Sequence, residues 1–193
     1  MKYFIIIVAF LLGTAKHSLA QDQPVNQRYT DAAGNIILLG QCTREALWQA
    51  PFRSWFAINY DQYVVDSATC LYVAPLLKDK KITLFMGTWC GDSRREVPRL
   101  LKILDCCGFP SEQLTMIMVS NQPDMYKQSP GHEEYGRNIF RVPTLIIDGL
   151  TRELGRIIEL PVVSLEKDLL RILRNEGYVP NYAERKDDAV ASR

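Results

Sequence analysis

The stretch ITLFMGTWCGDS, residues 82–93, decides the fold of this chain. Its first five residues form an almost unbroken apolar run, which is typical of a strand whose two faces are both covered. A helix follows, because apolar residues recur at steps of three and four positions before Gly108 and Pro110 end the pattern. These apolar residues are Val97, Leu100, Leu101 and Leu104. The sequence therefore predicts that Cys90 lies where a buried strand passes into the first turn of a helix.

Cys90 is a candidate nucleophile because of this position. A sulfur at a helix start lies near unpaired backbone N–H groups and the positive end of the helix dipole, and both favour the thiolate. Only the thiolate attacks disulfides. Arg94 and Arg95 add positive potential and Asp92 opposes it, so the sequence leaves the balance open. The alternative is an inert thiol, since unpaired cysteine often packs as a small apolar residue.

The rest of the chain after this helix predicts three more strands, a polar connection and a last helix. Residues 114–119 form the next strand, and residues 121–138 are a polar connection with one short helix at most. Residues 144–148 and 153–159 are two strands that a short turn joins, which predicts an antiparallel hairpin. Ser164 is placed to cap the final helix.

The region before the apolar strand predicts a short strand and several helices. Residues 21–34 are polar and are expected to be loose, whereas residues 35–39 predict a short strand. Thr43 and Asp66 are each placed to cap a helix, the second over residues 67–77. Aromatic residues between them recur at helical spacing, which favours packing against a core over an aromatic ligand site. They are Phe52, Trp55, Phe56, Tyr60 and Tyr63.

The first 20 residues have the layout of a secretory signal peptide. Lys2 precedes an apolar run, and the small-residue stretch 18–20 precedes Gln21. The run is roughly half the length of about 20 residues that a membrane-spanning helix needs. We expect cleavage before Gln21 and an exported protein, periplasmic or extracellular. The alternative is a buried first helix.

Four regions follow from these patterns. Residues 1–20 are the expected signal peptide, 21–64 an extension packed on the domain, 65–178 the domain itself and 179–193 a flexible C-terminal tail. The chain carries 23 basic and 22 acidic residues with no basic stripe. A protein that binds nucleic acid needs a clustered basic surface, so we expect no nucleic-acid partner. After removal of the signal peptide we expect no membrane association.

The chain has five cysteines, so at least one thiol is free or pairs outside the chain. There is no C-x-x-C pair and His132 is the one histidine beyond the expected signal peptide, which argues against a zinc site. No second thiolate flanks Cys90, which argues against copper as well. We expect no metal and no cofactor. We expect a disulfide between Cys42 and Cys70. Cys106 and Cys107 are expected to be packing residues at the end of the helix.

The order of these elements resembles the thioredoxin superfamily over about residues 65–175. The resemblance is carried by Trp89-Cys90-Gly91-Asp92-Ser93, by Pro98, by Val142-Pro143-Thr144 and by the glycine-containing hairpin that follows. It implies a thioredoxin-like three-layer α/β fold with a central mixed sheet, here with an N-terminal helical extension. It also implies a cis peptide bond before Pro143, facing the reactive cysteine. The alternative is a trans proline that opens a strand.

The site residues follow from the same resemblance. Cys90 and Ser93 occupy the catalytic positions of the motif. The substrate-binding positions are Trp89, Gly91, Asp92, Val142 and Pro143. The backbone of Val142 is expected to pair with an extended client peptide.

Three departures from the family limit the expected function. Ser93 replaces the second cysteine, Leu84 replaces a buried acid six residues before Cys90, and Asp92 replaces a proline. A hydroxyl cannot resolve a mixed disulfide, and Cys106 lies about 24 Å along the same helix. We therefore expect a monothiol protein that exchanges or isomerises disulfides of client proteins with help from an external thiol reductant. The alternative is a non-catalytic peptide-binding module.

Overall fold

The computed structural model describes residues 24–185, with the side chain of Arg185 excepted. The expected signal peptide and residues 186–193 of the expected tail lie outside this range. The strands are β1 (Gln27–Thr30), β2 (Ile36–Cys42), β3 (Lys81–Met86), β4 (Leu114–Met118), β5 (Thr144–Asp148) and β6 (Glu153–Ile158). The α-helices within this range are α1 (Arg44–Leu47), α2 (Arg53–Gln62), α3 (Ser67–Leu77), α4 (Gly91–Cys106) and α5 (Leu165–Leu173). None of them is long and apolar enough to cross a membrane.

The six strands form one mixed sheet in the order β1-β2-β4-β3-β5-β6, so the protein is α/β with a central mixed sheet as expected. Strand β3 is parallel to β4 and antiparallel to β5, and β5 and β6 form the predicted antiparallel hairpin. Leu84 and Phe85, which alternate to opposite faces of β3, are both fully buried. Both faces of this strand are therefore covered, as its apolar run predicts.

The two faces of the sheet are covered in different ways. Leu84 lies in a large core to which all five helices contribute. Phe85 lies in a second core with Val142 and half-buried Trp89, and none of the described residues in that core belongs to an α-helix. The connection between β4 and β5 supplies the third layer. As expected it is irregular except for one short helix, a 3₁₀ turn at Pro123–Met125. Pro130 and several residues with positive φ keep the rest of it non-helical.

The N-terminal extension is only partly helical. Residues 27–30, expected to be loose, form β1 and pair with β2, and β2 runs on to Cys42 where it pairs with β4. The Asp31 carboxylate accepts hydrogen bonds from the backbone N–H groups of Ala33 and Asn35 and so closes the turn between β1 and β2. The extension therefore completes the sheet instead of only packing against it.

Two of the three predicted helix caps and the predicted packing of the aromatic residues are confirmed. Asp66 accepts a hydrogen bond from the N–H of Thr69, and Ser164 accepts one from Lys167. Thr43 begins α1 without a side-chain cap. The aromatic residues of α2 pack in the main core, where Phe52 and Phe56 are buried.

The start of the expected tail is held against the domain. The amide of Asn181 donates to the carbonyl of Leu160 at 2.9 Å, and the hydroxyl of Tyr182 donates to Glu159 at 2.6 Å. Tyr178, at the end of the expected domain, donates its hydroxyl to the buried Asp168 at 3.0 Å. The described part of the tail therefore has a fixed path.

Candidate functional site

Cys90 is the residue that precedes the first turn of α4. Its N–H donates to the Gly87 carbonyl, and its carbonyl accepts from the Arg94 N–H, both at 3.0 Å. Its half-buried side chain accepts no hydrogen bond from the first turn of α4. The backbone N–H groups of that turn therefore have no side-chain acceptor at Cys90. This is the helix-start position that the sequence predicts.

The segment before β5 reaches the same place from 52 residues further along the chain. The Cys90 thiol donates a hydrogen bond to the Val142 carbonyl at 3.2 Å. The Val142–Pro143 peptide bond is cis, as expected. The Pro143 carbonyl accepts from the N–H of Glu159 at 2.7 Å, which ties this segment to the end of β6. The structure thus brings together three residues of the expected site, which are Cys90, Val142 and Pro143.

Trp89 is held on the second face of the sheet. Its indole N–H donates to the Val119 carbonyl at 2.8 Å, and its ring centroid lies 5.7 Å from that of the exposed Tyr126. A Cβ at Gly87 would come within 2.5 Å of the indole ring, so only glycine fits there. Sequence reasoning missed both Gly87 and Tyr126. A glycine that follows an apolar strand and lies two residues before Trp89 was the available signal for Gly87.

Ser93 lies behind Cys90 and is fully buried. Its hydroxyl oxygen accepts a hydrogen bond from the Gly87 N–H at 3.3 Å. A client molecule therefore cannot reach Ser93 without displacing the helix start. Gly91 is exposed, and Asp92 is half-buried on the first turn.

The charges around the sulfur are mostly paired with each other. Arg95 contacts Asp92 at 2.7 Å and the buried Glu96 at 2.6 Å. Arg94 donates to the Thr88 carbonyl at 2.6 Å. Asp92 and Arg95 thus offset each other by ion pairing, whereas Arg94, which donates to a backbone carbonyl, and the first turn of α4 both remain as sources of positive potential.

A second polar group borders the Val142–Pro143 segment. Arg141 contacts one carboxylate oxygen of Glu159 at 3.0 Å, and the Tyr182 hydroxyl donates to the other at 2.6 Å. The Arg141 guanidinium also lies 4.8 Å from the centre of the Tyr182 ring. The hydrogen bond to Glu159 raises the pKa of Tyr182. Sequence reasoning missed this group because Tyr182 falls in the expected flexible tail.

The remaining cysteines are placed differently from the expected disulfide. All five are free, so the expected Cys42–Cys70 disulfide is wrong for this structure. Cys42 is buried at the end of β2, whereas the thiol of Cys70 on α3 lies within hydrogen-bonding reach of Cys107. Cys106, expected to pack, is exposed. No group of three or more metal-ligating side chains occurs between residues 24 and 185.

Comparison with known proteins leaves the family open. No protein-family profile and no curated protein matches the chain. A crystal structure of a protein of unknown function from Pseudomonas aeruginosa is similar at 13% sequence identity and a TM-score of 0.49. The match covers 66% of this chain and 87% of the other.

Proposed function

We propose that this protein is a thioredoxin-like thiol–disulfide exchange protein with Cys90 as its single nucleophile. The observation that carries the proposal is the position of the Cys90 thiol. It lies at the open first turn of α4 and 3.2 Å from the Val142 carbonyl, which precedes Pro143. A half-buried thiol with backbone N–H groups on one side and a backbone carbonyl on the other suits attack on an extended, cysteine-bearing peptide.

The order of the elements supports a thioredoxin-like fold. Strand β3, helix α4 and strand β4 form a parallel β-α-β unit, and the hairpin β5–β6 and helix α5 follow. Cys90 and Pro143 meet at one edge of this arrangement, as the family resemblance implies. The non-helical layer over Phe85 is a departure from the expected three layers, and Trp89 and Cys90 pack against this layer.

The proposed reaction is one thiol–disulfide exchange. The Cys90 thiolate attacks one sulfur of a client disulfide, a new S–S bond forms, and the other client sulfur leaves as a thiolate that takes up a proton. Ser93 cannot displace the client, because a hydroxyl is not a thiol. Leu84 offers no proton acceptor. Release then needs an external thiol, or a second thiol of the client, which would give isomerisation.

The client would lie along Val142. Within the described residues, no backbone acceptor pairs with the Val142 N–H, so this N–H is available to a client strand once the strand reaches the buried Val142 backbone. Trp89 and exposed Gly91 border the sulfur on the α4 side. Half-buried Asp92 completes this side. We propose that these residues contact the client backbone and the residues beside its cysteine.

The site-by-site rate of thiol alkylation tests the proposal. Native, reduced protein is treated with iodoacetamide at neutral pH and each cysteine is followed by peptide mass spectrometry. Cys106 serves as an internal control, because it is an exposed thiol at the far end of the same helix. We expect Cys90 to react faster than Cys106 although Cys90 is less exposed. A Cys90 rate at or below that of Cys106 would contradict the proposal.

That contradictory result would favour the second candidate, a non-catalytic peptide-binding module. The specific observation in its favour is that the Cys90 thiol already donates to Val142, so the site is complete without any reaction. A peptide with serine in place of cysteine would then bind as tightly as the cysteine peptide. Under the exchange proposal only the cysteine peptide is retained after washing under non-reducing conditions.

We further propose that the protein is exported, because residues 1–20 have the layout of a cleavable leader. Its partners would then be client proteins with cysteines or disulfides, together with an external thiol reductant. Mass analysis of the mature protein from the exported fraction should give a chain that begins at Gln21. A mature chain that retains residues 1–20 would contradict export by this route.

A further inference from the structure

Three thiols meet at the end of α4 that lies away from Cys90. Cys106 is the last residue of α4, Cys107 follows it, and Cys70 lies on α3. The Cys107 sulfur is 3.9 Å from the Cys70 carbonyl oxygen. The side chains of Cys70 and Cys107 both pack in the main core.

These thiols differ in how a reagent can reach them. Cys70 is 3% exposed, Cys107 is half-buried and Cys106 is exposed. A cavity of about 170 Å³ opens beside Cys107 and is lined also by Leu77 and Phe109. A small reagent can therefore approach Cys107 from solvent, whereas Cys70 is almost fully buried.

We propose that Cys70 and Cys107 form a disulfide when the protein meets a small disulfide oxidant such as oxidised glutathione. The bond joins α3 to the end of α4. It is independent of the proposed exchange at Cys90, which lies at the other end of the helix.

The reaction takes two exchange steps. The Cys107 thiolate attacks one sulfur of oxidised glutathione, the S–S bond of the reagent breaks, and one glutathione leaves and takes up a proton. The Cys70 thiolate then attacks the Cys107 sulfur, and the second glutathione leaves in the same way. Two protein thiols are oxidised to one disulfide, and one oxidised glutathione is reduced to two molecules of glutathione.

The geometry favours Cys107 over the other cysteines as the partner of Cys70. A disulfide between the neighbours Cys106 and Cys107 would strain the backbone that joins them. Cys107 packs in the same core as Cys70, and its sulfur contacts the Cys70 carbonyl. The exposed Cys106 also lies within hydrogen-bonding reach of Cys70, so Cys106→Ser is the variant that separates the two partners. Cys42, the partner expected from the sequence, lies at the end of β2, and no hydrogen bond joins it to Cys70 within the described residues.

The reaction is expected to be slow at neutral pH. Burial is the main cause that raises the pKa of both Cys70 and Cys107, and each thiol also faces Cys106. Glu166 adds negative potential at Cys107, and Lys78 lines the cavity beside it. The rate should therefore rise with pH as the thiolate fraction grows.

Non-reducing peptide mapping of the full chain tests the pairing. Reduced protein is incubated with oxidised glutathione, blocked with an alkylating reagent and digested. We expect a cross-linked peptide that contains Cys70 and Cys107, with the loss of two hydrogens from the intact protein. Cys106→Ser and Cys90→Ser should both retain this peptide, and Cys107→Ser should lose it.

Cys107→Ser changes a half-buried residue, so it disturbs the fold less than a change at buried Cys70 would. The peptide map of the wild-type protein tests the pairing without any variant. Cys70 recovered as a free thiol, or joined to Cys42 or Cys106, would overturn the proposal. Loss of the cross-linked peptide in Cys90→Ser would show that the reaction needs Cys90 and would overturn its independence.

Discussion

The Ser93 hydroxyl accepts a hydrogen bond from the Gly87 N–H at 3.3 Å, so the residue that stands in place of a second cysteine holds the connection between β3 and α4. Ser93→Ala leaves this buried N–H without a partner. We expect a loss of about 1–3 kcal/mol in the free energy of unfolding, measured by urea denaturation. The control Ser67→Ala, at an exposed position, should change it by less than about 0.5 kcal/mol. Equal effects of the two changes would contradict this role for Ser93.

Gly87 is required because of its contact with Trp89. A Cβ at this position lies 2.5 Å from the indole ring, so Gly87→Ala must displace the ring and weaken its bond to Val119. We expect a destabilisation of about 1–3 kcal/mol. Gly91→Ala is the matched control, because a Cβ there meets no atom within 4 Å. The prediction fails if the two variants have the same melting temperature.

Asp105 links the end of α4 to the N-terminal extension. Its carboxylate accepts two hydrogen bonds from Arg44, both at 2.6 Å, and one from Tyr60 at 2.5 Å. Burial acts to raise the pKa of Asp105, but these hydrogen bonds outweigh it and the pKa is lowered. Because the folded pKa lies below the unfolded one, the stabilisation is present at neutral pH and is lost as the pH falls through the folded pKa.

Asp105→Asn should therefore lower the free energy of unfolding at pH 7 by about 1 kcal/mol, since the pair is partly exposed. The difference from wild type should shrink as the pH falls below about 4. Asp79→Asn, at an exposed position on the loop before β3, is the control and should have no such pH dependence. A difference between wild type and Asp105→Asn that stays constant down to pH 2 would exclude the ionised pair as its cause.

Cys42 should be unreactive in the folded protein. Burial raises the pKa of its thiol to about 12, so roughly one molecule in 10⁴ carries the thiolate at pH 8. We expect iodoacetamide to leave Cys42 unmodified in native protein while it modifies exposed Cys106, and to modify both in denaturant. If Cys42 is modified in native protein as fast as Cys106, the end of β2 opens to solvent and the prediction is wrong.

Local signals in the sequence predicted where several helices begin. Asp66 and Ser164 cap their helices, and Cys90 begins α4, because each depends on residues within one turn of chain. The meeting of Cys90 with Val142 across 52 residues was reached only through the family resemblance. No periodicity in either segment encodes that contact.

Long-range packing explains what the sequence missed. Residues 27–30 are polar and read as loose, yet the turn at Asp31 and the pairing with β2 make them a strand. Cys70 has Cys107 as its neighbour because α3 packs beside the end of α4, and this depends on tertiary packing. Tyr182 is fixed by Glu159 and Arg141, which a charged terminal sequence does not reveal.

The lifetime of the mixed disulfide on Cys90 tests the central claim most directly. Reduced protein is mixed with a peptide that carries a disulfide, and the covalent adduct is followed by intact mass without added thiol. Cys90→Ser should form no adduct at this site. In Ser93→Cys the new thiol lies one helical turn along and can displace the peptide.

We predict that the wild-type adduct persists until glutathione is added, and that its lifetime without glutathione exceeds that of Ser93→Cys at least about tenfold. A wild-type adduct that decays as fast as the Ser93→Cys adduct, with no added thiol, would contradict the account of Cys90 as a nucleophile without a resolving partner.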